Sequence, residues 1–436
     1  MYKRFCFNLI VLLLGIWIAG CNSTSAPQPT ARPASPTEDP TITLTMASWR
    51  SDDAEQMSRI FAKFNEHYPN IKIVYDTGYQ PDYDTPLLAQ LQSGTGPDLI
   101  YLRSFDDSRL LFEQGFLETL SDLPGLSENF TPVMQSAWAT DEGVSYGVPY
   151  IATSHGVYYN VDLFNELGLD VPTSWETFLS TAQTIQEAGY IPIANSSGSK
   201  WAMAELVFMN LAPNFIGGRE GRLAYLSGER CLNDEHVVAA FQAIKDIAPF
   251  LPPNHSGLKN LDSVQLFAQG KAAMMLDGSW DIHLIEAQSP TFAWDVFAPP
   301  PPHNQPAYLT FHQDVGMGLN AASPHKAEAR KFLEWMTTAE FAELLGNELP
   351  GFYPMHTNPP TLSNKHANSF LALNQGRGLD VRFVWDKLMA NSPNAYILVM
   401  DGTIAVANGE QSPQEAADAL QTNLEQWFEP AQNCNK

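Results

Sequence analysis

The sequence predicts an α/β protein whose two lobes are joined by extended crossovers. Three observations support this fold class: strand and helix patterns alternate through residues 41–102, an extended stretch begins at Tyr146, and a new helical pattern opens by Phe178. Two lobes connected by extended segments enclose a cleft, and clefts between domains are where small ligands usually bind. The fold class therefore predicts a ligand site between the lobes.

The first lobe begins with three apolar strands separated by two amphipathic helices. The predicted strands are centred on Ile42–Met46, Ile71–Tyr75 and Asp98–Leu102, and the predicted helical faces carry Met57, Ile60, Phe61 and Phe64, then Leu87, Leu88 and Leu91. This order implies a parallel sheet with right-handed crossovers. Ligands of such sheets bind at the loops that follow the strands, here residues 49–53, 80–83 and 103–107.

The crossing into the second lobe is predicted from alternating apolar residues, a proline and a helix-capping pattern. Val144, Tyr146 and Val148 alternate with small or polar residues, Pro149 stiffens the path, and a strand resumes over Val157–Asn160. The Thr173-Ser174-Trp175-Glu176 stretch then predicts a capping box that opens a helix. The chain thus leaves the first lobe by an extended segment and starts a second α/β unit.

The rest of the chain continues with the same kinds of pattern. A helix is predicted over Val237–Ile247, and the run Phe267–Trp280 predicts a helix ending at Gly270, a buried strand, a tight turn and an exposed Trp280. The patterns also predict a second crossing at Pro299–Pro302, a returning strand at Gly316–Asn320, helix caps at Ser323-Pro324 and at Thr338, and a last helix from Pro413.

Composition and net charge limit the classes of ligand that the chain is expected to bind. The 436 residues carry a formal charge of -24, with 44% apolar and 17% charged residues, as expected of a folded globular protein. Such acidity repels phosphate backbones and anionic lipids, which argues against nucleic-acid binding and against a basic membrane-binding face.

The N-terminus has the pattern of an export signal. Lys3 and Arg4 precede an apolar run over Leu9–Ile18, and small residues lead to Cys21, so residues 1–20 are predicted to be a signal peptide. A membrane anchor that is not cleaved is the alternative. The Ala-Gly-Cys ending resembles the lipobox of bacterial lipoproteins, which implies lipid on Cys21. Residues 21–40, rich in Pro, Ser and Thr, are then a flexible tether.

Two cysteines remain for the folded body. Cys231 and Cys434 could pair in an oxidising compartment, which would tie the C-terminal tail to the second lobe. Two unpaired thiols are the other interpretation, and the sequence leaves both open.

Several stretches together resemble the extracellular solute-binding proteins of ABC importers, in particular the maltose-binding-like sugar binders. The matching stretches are Gly94–Ile100, Gly143–Tyr150 with Tyr158-Tyr159-Asn160, Gly270–Trp280, and Leu319–Lys326 with the helix after it. Their order and spacing, which cover residues 41–430, are more specific than any single stretch.

This resemblance implies a two-lobed periplasmic-binding-protein fold of type II, with discontinuous lobes joined by a hinge. Residues 41–149 and 301–355 would form the first lobe, and residues 150–300 and 356–436 the second. It also implies an exported, monomeric receptor that carries a mono- or oligosaccharide to a membrane permease, uses no cofactor or metal, and performs no catalysis.

A neutral sugar offers apolar faces and a ring of hydroxyls, so its site needs aromatic plates and planar polar side chains. Trp280, after a Gly-Ser turn, matches the stacking position of the family, with burial in the core as the alternative. Trp201 follows a polar loop, where contact with ligand and plain packing are both open. Trp49 precedes Asp52 and Asp53, one of which could instead cap the next helix.

Further candidates follow from the loops and the crossings. Asp106 and Asp107 follow the third strand, where the family places carboxylates on sugar hydroxyls, although Arg103-Ser104-Phe105 replaces the aromatic residue of the maltose binders. The secondary candidates are Tyr150, Thr153, Ser154, His155, His312, Gln313, Asp314, Phe352 and Tyr353.

The sequence carries little support for catalytic or metal-binding functions. A glycosidase needs two carboxylates at a set separation, which sequence does not show, and no Gly-x-Ser-x-Gly, phosphate-loop or His-Glu-x-x-His motif occurs. The histidines lack the spacing of zinc ligands. A binder of a peptide, phosphodiester or polyamine, or a sensor beside a membrane kinase, remains an alternative on the same fold.

Overall fold

The computed structural model describes residues 40–78 and 83–434. The predicted signal peptide, Cys21 and nearly all of the predicted tether lie outside these residues, as do three positions of the predicted 80–83 loop. Within the described part of the chain, no helix combines the length and the apolar character needed to span a membrane.

Ten strands form one mixed, strongly interrupted sheet. They are β1 (Ile42–Ala47), β2 (Ile71–Asp76), β3 (Leu99–Arg103), β4 (Val148–Asn160), β5 (Ile191–Ile193), β6 (Ala272–Gly278), β7 (Trp294–Phe297), β8 (Tyr308–Leu319), β9 (Tyr353–Pro354) and β10 (Gly378–Asp380). The order along the sheet is β2-β1-β3-β8-β4-β6-β5, while β10 pairs with β8, and β7 and β9 pair with β4.

Helices cover the sheet. They are α1 (Ala54–His67), α2 (Asp84–Ser93), α3 (Asp106–Glu113), α4 (Leu126–Asn129), α5 (Pro132–Gln135), α6 (Val161–Leu167), α7 (Trp175–Glu187), α8 (Lys200–Ala202), α9 (Met209–Leu211), α10 (Pro213–Ile216), α11 (Gly218–Ser227), α12 (Glu235–Ile247), α13 (Asn260–Ala268), α14 (Ile282–Ala287), α15 (Lys326–Met336), α16 (Ala339–Glu348), α17 (Lys365–Leu373), α18 (Ala395–Ala407), α19 (Pro413–Leu424) and α20 (Glu429–Gln432). A π-helical turn over Met203–Phe208 joins α8 to α9.

The first strands pair as the sequence predicts. β1 lies between β2 and β3 and is parallel to both, and α1 packs Met57, Ile60, Phe61 and Phe64 into the core. The alternation of strand and helix produces this arrangement because each helix buries one apolar face against the sheet. The parallel-sheet prediction for residues 41–102 is confirmed.

Two long antiparallel strands, β4 and β8, connect the halves of the molecule. β4 pairs with β8 over its first part and with β6 and β7 over its second. It runs without a break from Val148 to Asn160, whereas the sequence predicted an extended run that Pro149 stiffens and a strand that resumes at Val157. The register shifts between Pro149 and Ala152, because proline has no N–H to donate to the ladder.

The return path also differs from the prediction. β8 begins at Tyr308, eight residues before the predicted Gly316 (316 − 308 = 8), whereas residues 299–302 lie outside the strands. β8 reaches both halves, as β4 does. Its early part pairs with β10 and its later part with β3.

The structure corrects two predicted helix caps and confirms one other, together with the predicted helix start at Pro413. Ser174, rather than Thr173, caps α7 and forms its capping box with Thr177. Ser323 does not cap α15, because its hydroxyl donates to Asp98 Oδ1 at 2.6 Å and the helix starts later, at Lys326. Thr338 caps α16 and Ser412 precedes Pro413 at the start of α19, as predicted.

Two apolar cores pack against the sheet. The first packs Leu44, Phe64, Trp138 and Leu319, among others, around β1, β3 and β8. The second packs Phe178, Phe241, Ile244 and Leu420, among others, under β4, β6 and the C-terminal helices. The first core also includes Phe267 and Trp280 of the second half, and β6 contributes to both cores, with Met275 in the first and Met274 in the second.

A disulfide joins Cys231 to Cys434, with the Cα atoms 5.2 Å apart. It links the segment before α12 to the residues after α20, which are 203 positions apart in sequence. The C-terminal tail is thereby tied to the second half, which is the paired one of the two alternatives that the sequence leaves open.

Candidate ligand-binding site

A polar cavity of about 590 Å³ lies between the two halves. We call it the central cavity. The first half supplies Trp49, Arg50, Asp52 and Arg103, the second half supplies Ser199, Trp201, Glu205, Lys259, Asn260, Trp280 and Asp281, and Asp314, Arg382 and Tyr396 complete most of the wall. Most of these residues follow the ends of strands, where open α/β sheets place their ligand sites.

Trp280 forms one wall of the central cavity and is held by its neighbours. Its ring covers Gly278 so closely that a Cβ at that position would come within 2.0 Å of a ring carbon. The His155 ring meets it edge-on at 5.2 Å between centroids. The indole is only 7% exposed, in contrast to the exposed turn that the sequence predicted, because it packs back against β6. The result is a fixed aromatic surface at the cavity wall.

Trp49 lies across the cavity on the first half. It contacts Tyr83 and Tyr101 edge-on at 5.1 and 5.6 Å, and the Arg103 guanidinium lies 4.7 Å from its ring centroid. Asp52 is exposed at the rim. Arg50 instead pairs with the buried Asp53, so Asp53 holds an arginine and its side chain makes no cap to α1.

On the second half, the π-helical turn and the segment after β10 meet at the cavity. Glu205 accepts a hydrogen bond from Tyr396 Oη at 2.6 Å and forms an ion pair with Arg382 Nη1 at 3.0 Å. Trp201 is 39% exposed beside them. π-helical turns occur often at functional sites, since the extra residue re-aims side chains.

Arg382 is the most enclosed cation of the wall. Its guanidinium lies 5.5 Å from the Trp280 ring and 4.6 Å from the Trp385 ring, and the residue is 5% exposed. Its Nε is buried and has no hydrogen-bond partner. Asn260 Oδ1 is likewise buried and without a partner. An unpaired donor and an unpaired acceptor in one cavity wall are the groups that a polar ligand would satisfy.

The carboxyl groups in and behind the cavity wall are buried away from water. Burial raises the pKa of Asp281 against the opposing charge of Arg50, and burial together with the Asp281 charge raises the pKa of Asp277 behind it. Burial also raises the pKa of Asp314, which Arg382 opposes. Of these carboxyls, Asp281 and Asp314 line the central cavity and can serve as acceptors, and when protonated as donors, for hydroxyl groups.

A second polar cavity of about 540 Å³ adjoins the first. We call it the acidic cavity. It shares Arg103, Trp201, Glu205 and Tyr396 with the central cavity, and Asp84, Asp106, Asp107, Trp385 and Asp386 belong to its own wall. Burial raises the pKa of Asp107 to about 6, against the opposing charge of Arg103.

Ten predicted residues comprise six main candidates and the secondary candidates Tyr150, His312, Asp314 and Tyr353, and the structure brings seven of them to these two cavities. Trp280, Trp201, Trp49, Asp52 and Asp314 line the central cavity, and Asp106 and Asp107 line the acidic one. Their gathering follows from the fold, because the loops after β1, β3, β5 and β6 meet at one place.

The other three predicted residues lie elsewhere. Tyr150 is buried in the first core, where its hydroxyl contacts Tyr101 Oη at 3.4 Å. His312 and Tyr353 line a different cavity of about 580 Å³, whose wall is mostly apolar and includes Phe311, Met355 and Leu371. Regular alternation would place His312 and Asp314 on the same face of β8. The register shift in the pairing with β4 passes over Asp314 and breaks this alternation, so Asp314 lines the central cavity and His312 does not.

The polar residues that the sequence places at the crossing lie within β4, the strand that passes from one half to the other. Thr153, Ser154 and His155 are fully buried in β4, and the Ser154 N–H donates to Ser279 Oγ at 3.1 Å. Burial lowers the pKa of His155 and of His312 well below the ordinary value, so both rings are neutral at pH 7. Phe352 lies under the Arg50 guanidinium, and Gln313 donates to Val133 O.

Sequence reasoning missed several residues of the wall. Arg382 and Trp385 follow β10 in a stretch without a recognisable motif, and Glu205 and Tyr396 lie on helices whose facing is set by tertiary packing. Asp281 directly follows Trp280, so its position beside the best candidate was an available signal. Among residues 40–78 and 83–434, no three His, Cys, Asp or Glu side chains are grouped as a metal site.

Fold and site together define a class of protein, namely a two-lobed α/β receptor with an aromatic, polar cavity between its halves. Residues 48–343 match the family described as bacterial extracellular solute-binding protein. The chain belongs to this family. Its members bind solutes outside the cell, which agrees with the resemblance stated from the sequence.

Individual relatives agree with this assignment. The multiple sugar-binding protein of Streptococcus mutans serotype c is 24% identical over 351 residues, which is 78% of this chain and 79% of that protein. A structure of the solute-binding protein RafE with raffinose superposes with a TM-score of 0.74 at 22% identity, covering 90% of this chain and 100% of RafE. A chitin oligosaccharide binding protein gives 0.75 at 21% identity, covering 88% and 98%. The two-lobed fold predicted from the sequence is confirmed.

Proposed function

We propose that the chain is the sugar-binding receptor of an ABC importer and that it takes up a mono- or oligosaccharide in the central cavity. The observation that supports this most is the wall that combines Trp280, a fixed aromatic surface, with the unpaired polar atoms of Asn260 and Arg382. Apolar sugar faces stack on aromatic rings, while sugar hydroxyls pair with amide, guanidinium and carboxylate groups. Three of the similar proteins described above carry sugar-binding names or ligands, which favours the same class here.

The arrangement suits binding and release of an unchanged ligand. The polar groups of the wall are spread around the cavity, and the connection by β4 and β8 allows hinge closure of the halves around a solute. A closed, liganded receptor would then dock on the transmembrane subunits of its permease. The named similar proteins favour a sugar over the non-sugar and sensor alternatives, while the carboxylates and aromatic rings of the acidic cavity would also suit a polyamine, which the thermal-shift screen includes.

A thermal-shift screen tests this function. Mono- and oligosaccharides with neutral and amino-substituted units are added to the full-length chain at millimolar concentration, and at least one is expected to raise the melting temperature. The reason is that a ligand which binds only the folded state adds stability that grows with ligand concentration. If no saccharide shifts the transition while a phosphodiester, peptide or polyamine does, the proposed class of ligand is wrong.

We also propose that Cys21 carries lipid and tethers the receptor to the outer side of the membrane. The proposal is based on the lipobox-like ending of the predicted signal peptide, which lies outside the described residues. In a bacterial host, the full-length chain is expected to incorporate labelled palmitate and to fractionate with membranes. The Cys21→Ser variant should lose both properties, and palmitate incorporation by that variant would contradict this assignment.

A further inference from the structure

The acidic cavity adjoins the central cavity and shares part of its wall. The two have similar volumes, about 590 and 540 Å³, and share four wall residues, Arg103, Trp201, Glu205 and Tyr396. Each volume is within the range that holds a small organic ligand. A ligand that filled only one of them would leave the other, with its aromatic and polar groups, open to water.

Each cavity has an aromatic residue of its own, and a buried guanidinium lies between the two. Trp280 belongs to the central cavity alone and Trp385 to the acidic cavity alone, while the half-exposed Trp201 borders both. Arg382 contacts both of the first two rings, with 5.5 Å to the Trp280 centroid and 4.6 Å to the Trp385 centroid. The unpaired Nε of Arg382 is thus a hydrogen-bond donor beside the junction of the two aromatic surfaces.

The charges of the acidic cavity restrict what enters it. Asp84, Asp106, Asp107 and Asp386 face one wall cation, Arg103, which is itself paired with Asp84 at 3.0 Å. Arg109, from behind, lies 3.0 Å from Asp106 and 3.9 Å from Asp386. Carboxylates in this number accept hydroxyl and ammonium hydrogens and repel other carboxylates.

We infer that the acidic cavity is a second sugar subsite, so that the ligand is an oligosaccharide of at least two units and the unit on Trp385 carries no acidic group. This inference rests on the proposed function and adds to it the length and the charge of the ligand. The ligand extends from Trp280 past Arg382 to Trp385.

Isothermal titration with two homologous series tests the inference. The probes are galactose, melibiose and raffinose in one series, and N-acetylglucosamine with its dimer and trimer in the other. In the series that binds, the Kd is expected to fall at least tenfold between one and three units. Trp385→Ala should weaken the trisaccharide at least tenfold and the monosaccharide by less. Asp107→Asn, a nearly isosteric change, should show the same dependence on length even if Trp385→Ala folds poorly.

Trp335→Ala is the control, because Trp335 is a buried tryptophan that lines neither cavity, so its loss tests for a general effect of removing an indole. It is expected to keep the dependence on length. Equal affinity for one unit and three units, or an equal loss for all lengths in Trp385→Ala and Asp107→Asn, would overturn the second subsite. Tight binding of digalacturonic acid would overturn the charge requirement. If no saccharide of any length binds, the proposed function itself fails, so the two failures are distinguishable.

Discussion

Replacing Trp280 by alanine is expected to weaken sugar binding by about 30-fold to 1,000-fold, which corresponds to about 2–4 kcal/mol for a central aromatic contact in a desolvated pocket. The indole is 7% exposed, packs over Gly278 and is the fixed aromatic surface of the central cavity. Alanine would remove this surface and leave Arg382 without one of its two ring contacts. Isothermal titration with the sugar found by thermal shift measures the loss.

Trp335→Ala is again the control for this change. Trp335 is 5% exposed, donates from Nε1 to Glu340 at 2.9 Å, and lines neither the central nor the acidic cavity. It should lower the melting temperature and leave the Kd unchanged. Full affinity in a folded Trp280→Ala protein would show that the sugar does not stack on this residue.

Breaking the Arg222–Asp380 pair is expected to cost about 3–5 kcal/mol of stability, because it leaves one buried charge without its partner. Arg222 on α11 holds Asp380 of β10 through two hydrogen bonds of 2.8 and 2.9 Å, and both residues are 6% exposed. The pair fixes the stretch that carries Arg382 and Trp385 to the cavities. Arg222→Met should therefore lower the urea midpoint of unfolding and also weaken sugar binding.

Two further variants separate the role of this pair from a general effect of losing an arginine. Arg330→Met breaks an exposed pair with Asp122 and should change stability by less than about 1 kcal/mol. The double variant Arg222→Met/Asp380→Leu replaces both charges by apolar groups and should recover much of the lost stability. A single Arg222→Met variant as stable as the original chain would contradict the buried pairing.

Sequence patterns predicted the first half of the fold well because its signals are local. The apolar face of α1 and the alternation of β1 depend on neighbouring residues, and they gave the parallel β1, β2 and β3. β4 was predicted as an extended run that Pro149 stiffens, followed by a strand that resumes at Val157, whereas the structure has one strand over Val148–Asn160. The structure accommodates Pro149 at a register shift, which depends on β8, a strand more than 150 residues later in the sequence (308 − 149 = 159).

The site was predicted in part for a similar reason. Trp280, Trp49 and Asp107 follow strands, so their meeting at one sheet edge could be expected from topology. Arg382 and Trp385 could not be found in this way, because their position depends on the buried contact of Asp380 with Arg222 on a distant helix. His312 was predicted as part of a polar loop and Tyr353 as one of an aromatic pair, yet they line the apolar cavity, and His312 lies within β8.

A crystal structure of the chain with the oligosaccharide found by thermal shift tests the central claim most directly. The account predicts an intact saccharide between the two halves, with one unit on the Trp280 ring and its hydroxyls within hydrogen-bond distance of Asn260 and Arg382. A saccharide bound instead in the apolar cavity beside His312 and Tyr353, with the central cavity left to solvent, would contradict it.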